Sequence, residues 1–446
     1  MKNKPASPHS GDRVAIIGGG ATGALCSVIL AEAGFQVIAL EKKAIGNGSS
    51  SRSAACIRAQ FGVRETALGM AYSEDFYDHF HEYMHTPKDE QEWMIRHNGY
   101  LFLYENPAFY EAGSLKRKEV EAAWIQAQAY AAMHREVKLP VQVLTPAEVC
   151  ARWPHLDGDR LIGATWCSSD GFLNHDQIYI LGFRRARELD VILHQNTEVI
   201  GARVSAGRIT ALKTNTQGEI ECDWVLNAAG AWSPRVSRVL GGMDLRISPL
   251  KRYLWFLQTR QPEVVAPNAW SDLPMTIYGM GAGRGAYSRP QPKSNELLLG
   301  WAHDDAVPEP NFVDADQDLK EPGFANTPMG ERAVALMNQI NDFSPVLANC
   351  GSPDRITCGY YETTPDHNPM IGFDDGLANL IHAAGFSGHG LMHAPITAHL
   401  VREIILAKGV IDKVSLPAPF EQYSMSLQTF APNRSINLDK KEGMVL

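Results

Sequence analysis

The stretch RVAIIGGGATGALCSVILAEAGFQVIALE, from Arg13 to Glu41, decides the fold of this chain. Val14 to Ile17 is a short apolar run that predicts a buried strand, and three glycines in G-x-G-x-x-G spacing follow it. Ala24 to Ala33 then predicts a helix that ends at Gly34, and Gln36 to Leu40 predicts a second strand. This order of strand, glycine turn, helix and strand predicts a nucleotide-binding unit.

Each glycine of the turn has a separate physical task. Gly18 makes the tight turn, Gly20 lets the backbone approach a pyrophosphate, and Gly23 lets the helix pack closely on the strand. The pyrophosphate would bind the unpaired N–H groups at the start of the helix, and Glu41 would accept from ribose hydroxyls. A chance glycine turn does not explain this context, and Glu32 with the glycine cluster interrupts the apolar run too early for a membrane or signal segment.

The overall composition is that of an ordinary globular protein. The chain has 446 residues, long enough for two large domains, with 45% hydrophobic and 20% charged residues. Its net charge of −9, without a sustained basic run, argues against a nucleic-acid partner. The seven cysteines are odd in number and lack CxxC spacing, which argues for a reducing compartment and against a disulfide framework or a metal site. We expect a cytoplasmic location without a transmembrane segment.

The rest of the chain predicts a loop-rich cofactor site and a second sheet. Residues 42–62 are rich in Gly and Ser, which offer donors to phosphates; the embedded Arg52 and Arg58 argue against a flexible linker. Alternating runs between Pro249 and Trp301 predict an antiparallel sheet in a separate lobe. The tail from residue 425 predicts a loosely tied polar end. The expected fold class is α/β, with a Rossmann-type domain and a second, antiparallel-sheet domain.

Three further stretches carry a family resemblance. They are Ser51-Arg-Ser-Ala-Ala55, the run Asn227-Ala-Ala-Gly-Ala-Trp232, and Thr364-Pro-Asp366 followed by Gly385-Phe-Ser-Gly-His-Gly390. Together with the glycine turn, they resemble the FAD-dependent D-amino-acid oxidase superfamily, in the branch that holds sarcosine oxidase, glycine oxidase and D-amino-acid dehydrogenases. The similarity runs from about residue 13 to 408. The paired C-terminal motifs are specific, whereas many folds share G-x-G-x-x-G.

The resemblance implies a discontinuous, glutathione-reductase-like FAD-binding domain at residues 11–92, 155–240 and 350–425. A substrate domain would occupy residues 93–154 and 241–349, and residues 426–446 would form a C-terminal tail. The residues expected to bind FAD are Gly18, Gly20, Ala21, Thr22, Gly23, Glu41, Lys42, Lys43, Ser50, Ser51, Arg52, Ser53, Ala54, Ala55, Val199, Ala228, Ala229, Gly230, Trp232, Gly359, Gly385, Phe386, Ser387, Gly388, His389, Gly390 and Leu391.

The implied chemistry is oxidation of the C–N bond of an amino acid or N-alkyl amino acid. Hydride transfer to flavin N5 would give an imine that water hydrolyses. Arg58 is the first candidate to anchor a substrate carboxylate, with a structural salt bridge as its alternative; Arg252 is a second candidate. Tyr361 and Tyr253 are candidate catalytic tyrosines or ordinary core aromatics. His389 is expected to contact the flavin, and a pKa near neutrality would also allow proton transfer.

Two departures from the family pattern affect these expectations. Some relatives attach the flavin through a Cys five residues before the Thr of Thr-Pro-Asp, where this chain has Gly359, so we expect non-covalent FAD. Relatives of the sarcosine oxidase type carry a Lys in the strand that matches Glu296 to Trp301, where this chain has leucines. The electron acceptor therefore stays open among O₂, a quinone and a partner protein.

Two alternatives to a self-contained enzyme also stay open. The chain could be one flavoprotein subunit of a hetero-oligomeric dehydrogenase, or a flavin-bound assembly protein without turnover. Substrate identity, its stereochemistry and the oligomeric state are not determined by these motifs.

Overall fold

The computed structural model describes residues 11–260, 262–266, 270–281, 283, 285–302, 328–436 and 441–444. The α-helices of this part are α1 (Ala21–Glu32), α2 (Arg64–Asp78), α3 (Phe80–Tyr83), α4 (Leu115–Glu136), α5 (Pro146–Arg152), α6 (His175–Glu188), α7 (Ser233–Leu240), α8 (Pro262–Val265), α9 (Pro328–Asn341), α10 (Pro345–Ala348) and α11 (Gly390–Ala407).

The strands of the N-terminal half are β1 (Arg13–Ile17), β2 (Gln36–Leu40), β3 (Cys56–Ile57), β4 (Ile95–Arg96), β5 (Tyr100–Glu105), β6 (Val141–Leu144), β7 (Leu161–Cys167), β8 (Gly171–Leu173), β9 (Ile192–His194), β10 (Val199–Ser205), β11 (Arg208–Thr214) and β12 (Glu219–Glu221). Those that follow are β13 (Trp224–Asn227), β14 (Ser248–Gln258), β15 (Met275–Met280), β16 (Ala286–Pro290), β17 (Glu296–Trp301), β18 (Pro353–Thr363), β19 (Met370–Phe373), β20 (Leu380–Ala384), β21 (Lys413–Ser415) and β22 (Ser424–Ser426).

The first sheet is built around the N-terminal strand. Among the described residues it has the order β19-β20-β13-β1-β2-β9, parallel except for the antiparallel pair β19 and β20. Helix α1 contacts both α6 and α11 and buries nearly all of its residues, because its sequence has apolar and small residues on every side. A helix buried all round beside a parallel sheet is the arrangement that the opening stretch predicts. The predicted strands β1 and β2 are confirmed.

Helix α1 begins three residues earlier than the sequence predicts. Gly20 is its N-cap and Ala21 its first residue, so Gly23 lies inside the helix. A Cβ at Gly23 would clash with the carbonyl oxygen of Gly18. The glycine therefore lets the first turn of α1 pack against the preceding loop, which is the task that the sequence assigns to it.

The second sheet has the order β18-β14-β17-β16-β15-β5-β7-β6 and is antiparallel except for the parallel pair β15 and β5. Strand β5 is buried on both faces, since Leu101 and Leu103 face one core while the aromatic residues that alternate with them, Tyr100, Phe102 and Tyr104, face another. The α/β class with a second, mainly antiparallel sheet is thus confirmed. The proposed domain boundaries assign β7 and β18 to the cofactor domain, but both strands pair within this second sheet.

The C-terminal tail is anchored by several buried side chains where the structure describes it. Phe430, Glu442 and Met444 are only 2%, 1% and 3% exposed. The expectation of a loosely tied polar end is therefore wrong for residues 426–436 and 441–444. None of the helices in the described part of the chain combines the length and the apolar character that crossing a membrane requires.

Candidate cofactor and substrate site

A large cleft opens at the carboxyl ends of β1, β2 and β13. It encloses about 1770 Å³ between protein atoms, counting space open to solvent. Ligands of open parallel sheets bind at this edge. The predicted cofactor residues that line the cleft are Gly18, Gly20, Ala21, Thr22, Glu41, Lys42, Lys43, Ser50, Arg52, Ser53, Ala54, Val199, Ala228, Ala229, Gly230, Trp232, Gly359, Phe386, Gly388, Gly390 and Leu391.

Six predicted cofactor residues do not line this cleft. Gly23 lies inside α1, the residues Ser51, Ala55, Gly385 and Ser387 lie in the loops beside the cleft, and His389 lines a second cavity instead. Several lining residues escaped the sequence analysis, among them Asn47, Thr197, Glu198, Arg235, Tyr287, Tyr360 and Glu362. Tyr360 and Glu362 flank Tyr361, and Asn47 lies in the Gly/Ser-rich loop, so their positions beside predicted residues could have identified them. The others come from strands and loops distant in sequence.

Glu41 lies at the nucleotide end of the cleft. Its Oε2 accepts from the N–H of Gly19 at 2.7 Å and its Oε1 from the N–H of Lys43 at 2.8 Å. Burial raises the pKa of Glu41, although these two N–H groups oppose the rise. The side chain is therefore held in place with acceptor capacity left on each oxygen for a ribose hydroxyl.

The Gly/Ser-rich loop after β2 folds over the start of α1. Nη1 of Arg52 donates to the carbonyl oxygens of Asn47 and Gly48, which closes the loop on itself. The hydroxyl of Ser50 accepts from the N–H of Ala21 at 3.2 Å, in the first turn of α1. The segment is thus an ordered wall of the cleft, in agreement with the argument against a flexible linker.

The turn between β20 and α11 forms the opposite wall. Gly388 has a φ of +91°, and a Cβ there would clash with the ring of Tyr361. Oε2 of Glu362 accepts from the N–H of Gly385 at 2.9 Å, so the carboxyl group holds the turn against β18. Burial raises the pKa of Glu362 to about 7, against the hydrogen bonds from the turn.

The Thr-Pro-Asp motif supports this wall without lining the cleft. Asp366 and Arg434 form a buried bidentate pair, with Oδ2 accepting from Nε at 2.8 Å and Oδ1 from Nη2 at 2.7 Å. The hydroxyl of Thr364 donates to the carbonyl oxygen of Asn368 at 2.8 Å. The motif therefore ties the C-terminal tail to the end of β18.

A second cavity adjoins the cleft behind Tyr361 and Tyr287, which line both. It encloses about 570 Å³, counted in the same way. Its lining residues are Ser53, Ala54, Cys56, Arg58, Tyr100, Phe102, Met275, Tyr287, Tyr361, Gly388, His389, Leu391 and Met392. The lining is mainly aromatic and apolar, with Arg58 as its cation, which suits a small organic anion.

Arg58 lies in an aromatic box and is only 2% exposed. Its guanidinium carbon is 3.8 Å from the ring centre of Phe61, 5.3 Å from that of Phe102 and 5.6 Å from that of Tyr100. These rings stabilise the positive charge through their π faces and keep water away from it.

The polar partners of Arg58 are neutral. Nη1 donates to the carbonyl oxygen of Gln60, and Nη2 donates to that of Met444 and lies 3.3 Å from Nε2 of His389. Nε is buried without a partner, and within the described residues no carboxylate lies at ion-pair distance. Within the described residues no salt bridge holds this buried cation: the charge of Arg58 opposes the rise in the pKa of Glu442, but that carboxylate lies beyond ion-pair distance. The guanidinium can therefore still take a directly bound counterion.

His389 does not have the near-neutral pKa that the sequence analysis allowed. Burial, together with the charge of Arg58, lowers the pKa of His389 well below its ordinary value. The imidazole is therefore neutral at physiological pH, and its Nε2 can accept from Arg58. The lowered pKa therefore argues against the proton transfer that a near-neutral pKa would allow.

The two candidates on β14 point to opposite faces of the sheet. Arg252 lines the cleft, its guanidinium carbon 5.4 Å from the ring centre of Tyr361, and its Nε and Nη1 are buried without a partner. Tyr253 packs 6.0 Å from Trp255 between ring centres and lines neither cavity. The structure thus brings Arg58, Arg252, Tyr361 and His389 to one region and leaves Tyr253 outside it.

The residues of the cleft fit FAD. The glycine turn and the start of α1 match a pyrophosphate, Glu41 matches a ribose, and the unpartnered donors of Arg252 lie at the far end, where an acceptor would satisfy them.

Comparison with known proteins agrees with this assignment. The family described as "DAO: FAD dependent oxidoreductase" matches residues 13–404. Glycine oxidase from Geobacillus kaustophilus is 25% identical to this chain, and the match covers 89% of this chain and 93% of the oxidase. FAD-dependent oxidoreductase domain-containing protein 1 from Xenopus laevis is 24% identical, and that match covers 89% of this chain and 79% of the relative. The crystal structure of L-proline dehydrogenase from P. horikoshii superposes with a TM-score of 0.72 at 26% identity, covering 90% of this chain and 95% of that one.

Proposed function

This chain belongs to the DAO family of FAD-dependent oxidoreductases, and from that premise we propose that it oxidises the C–N bond of an amino acid or N-alkyl amino acid. The buried charge of Arg58 in the second cavity, which has no ion-pair partner among the described residues, carries the proposal, because a substrate carboxylate would supply a directly bound counterion. Relatives named glycine oxidase, 4-methylaminobutanoate oxidase and L-proline dehydrogenase support the same substrate class.

FAD is the cofactor, and the cleft residues divide between its two halves. The glycine turn would hold the pyrophosphate and Glu41 the adenosine ribose, while the turn before α11 would hold the flavin. When bound, FAD supplies the electron acceptor for a hydride equivalent from the substrate. Non-covalent attachment stays a prediction: Gly359 lines the cleft, while Cys358 is fully buried beside Ala231 and Tyr360 and does not.

The protein's contribution is to bind and orient the substrate and to exclude solvent from it. Arg58 would pair with the carboxylate, and Tyr361 and Tyr287 would bound the space between the carboxylate and the cleft. The substrate loses a hydride from its α-carbon and a proton from its nitrogen, which leaves a C=N bond. Addition of water to that bond then gives a carbonyl compound and an amine. Neutral His389 accepts from Arg58 and keeps the guanidinium plane fixed.

The electron acceptor stays open among O₂, a quinone and a partner protein. Leu297, Leu298 and Leu299 of β17 are at most 1% exposed, so this strand brings no ammonium group to the cavities. Arg252 is instead a cation that lines the cleft. Reoxidation of the reduced flavin in air would therefore decide between an oxidase and a dehydrogenase, the latter as a self-contained enzyme or as one subunit of a hetero-oligomer.

The test is anaerobic reduction of the purified FAD-loaded protein with a panel of amino acids, N-methyl amino acids and their amides. We expect an amino acid to bleach the flavin absorption band much faster than its amide does. In Arg58→Met the ratio of the flavin reduction rates with the amino acid and with its amide should fall by about 10²-fold or more, since loss of one partner of a buried pair costs about 3 kcal/mol. Arg238→Met, an exposed site on α7 outside both cavities, is the matched control.

Two outcomes would contradict the proposal. Flavin that no compound of the panel reduces would favour the assembly protein, or a subunit that needs its partner. Equal loss of acid and amide reduction in Arg58→Met would show that the guanidinium does not bind the carboxylate. Admission of air after reduction tests the acceptor, since rapid reoxidation would identify an oxidase.

A further inference from the structure

The C-terminal segment lies directly against the proposed carboxylate anchor. The carbonyl oxygen of Met444 accepts from Nη2 of Arg58, although the two residues are 386 positions apart. Its side chain is buried in the aromatic core beside the cavity, with Sδ 3.9 Å from the hydroxyl oxygen of Tyr104. The segment therefore supplies one of the two backbone carbonyls that hold the guanidinium.

Glu442 fixes the same segment to the loop that follows Arg58. Its Oε1 accepts from the N–H of Gly62 at 2.7 Å and from that of Met444 at 2.9 Å, and its Oε2 accepts from the N–H of Val63 at 2.9 Å. Val63 is the N-cap residue of α2 and provides no side-chain cap. The carboxylate of Glu442 thus caps a helix from the other end of the chain.

A further contact ties the segment to the cofactor side. The N–H of Glu442 donates to the carbonyl oxygen of Asp366 at 3.0 Å, next to the bidentate pair of Asp366 with Arg434. The segment therefore joins the loop after β18, the start of α2 and β5 around Arg58. A polar carboxylate that is only 1% exposed and accepts three backbone N–H groups is a built feature of the site.

We infer that residues Glu442 to Met444 form a strap that positions Arg58 to receive a substrate carboxylate, an inference that rests on the proposed function. The guanidinium lies between the carbonyl oxygens of Gln60 and Met444, and these two acceptors fix its plane together with Nε2 of His389. Without the strap, Nη2 loses an acceptor and the start of α2 loses its cap. Arg58 then occupies several orientations, and a carboxylate has to select one of them, which weakens its binding.

The experiment measures carboxylate binding in the FAD-loaded protein without requiring turnover. Acetate and propionate are titrated while the flavin absorption band is followed, with acetamide as the uncharged probe. We compare the intact chain, a chain that lacks residues 442–446, and Glu442→Gln, which keeps the side-chain volume but places an N–H₂ group against a backbone N–H. Glu421→Gln, at an exposed position of the same C-terminal region, is the matched control.

We expect the Kd of acetate and propionate to rise about tenfold or more on deletion and severalfold in Glu442→Gln, with acetamide unaffected and Glu421→Gln unchanged. Flavin content should be retained in Glu442→Gln. Equal carboxylate affinity in the intact chain and Glu442→Gln would overturn the inference, and so would an equal loss of acetate and acetamide. Failure of every amino acid to reduce the flavin, with carboxylate binding still dependent on the strap, would reject the proposed reaction and leave the strap standing.

Discussion

Replacement of Glu362 by Gln should lower the free energy of unfolding at low pH and raise it at high pH. The carboxyl group accepts from the N–H groups of Gly385 and Phe386, and burial raises its pKa to about 7 from an ordinary value of 4.5. Gln at this position offers one acceptor oxygen, so one of the two N–H groups is left facing an amide N–H₂. That lost hydrogen bond costs about 1 kcal/mol at every pH.

The pH-dependent part follows from the raised pKa. A carboxyl group with a higher pKa in the folded than in the unfolded protein stabilises the fold while both states are protonated. That contribution is lost as the pH rises from about 4.5 to about 7, and the difference of about 2.5 units corresponds to about 3 kcal/mol. Glu362→Gln removes this loss. We therefore expect the variant to be about 1 kcal/mol less stable near pH 4 and about 2 kcal/mol more stable near pH 8.

The assay is the difference in melting temperature between Glu362→Gln and the unmodified chain, measured from about pH 4 to about pH 8. Flavin-free protein is used, because bound ligand adds its own binding free energy to the folded state. For Glu421→Gln, a change at an exposed glutamate, the difference in melting temperature should not change sign over this pH range. A difference that keeps one sign and one size across this range would refute the reasoning about the buried carboxyl group.

Three further predictions concern neighbouring parts of the site. Gly388→Ala should lose most bound flavin, measured by the ratio of flavin to protein absorbance, because a Cβ would clash with the Tyr361 ring; full flavin content would contradict this. Tyr361→Phe should slow flavin reduction by substrate while Tyr253→Phe leaves it unchanged, since of these two tyrosines only Tyr361 lines the cavities. Equal reduction rates in the two variants would contradict this. Arg434→Met should lower the free energy of unfolding by about 3 kcal/mol, because it leaves buried Asp366 unpaired, and a chemical denaturation curve identical to that of the unmodified chain would contradict it.

The local sequence determined the nucleotide-binding unit because its signals lie close together in the chain. Strands β1 and β2, the glycine turn and the carboxylate of Glu41 all fall within 29 consecutive residues, and each depends on neighbours a few positions away. The same holds for the turn before α11, whose glycines lie within a few residues of one another. The family resemblance then supplied FAD and the candidate role of Arg58.

Tertiary structure alone decided what surrounds Arg58. The pairing of β14 placed Arg252 towards the cleft and Tyr253 away from it, because successive side chains of a strand point to opposite faces, and the sequence does not show which face meets the cofactor. The low pKa of His389 and the high pKa of Glu362 depend on burial by distant elements. The strap at Glu442 to Met444 joins residues almost 400 positions apart. The sequence of the strap does not distinguish it from a free tail. Two of the three N–H groups that bind the Glu442 carboxylate, those of Gly62 and Val63, belong to a distant part of the chain.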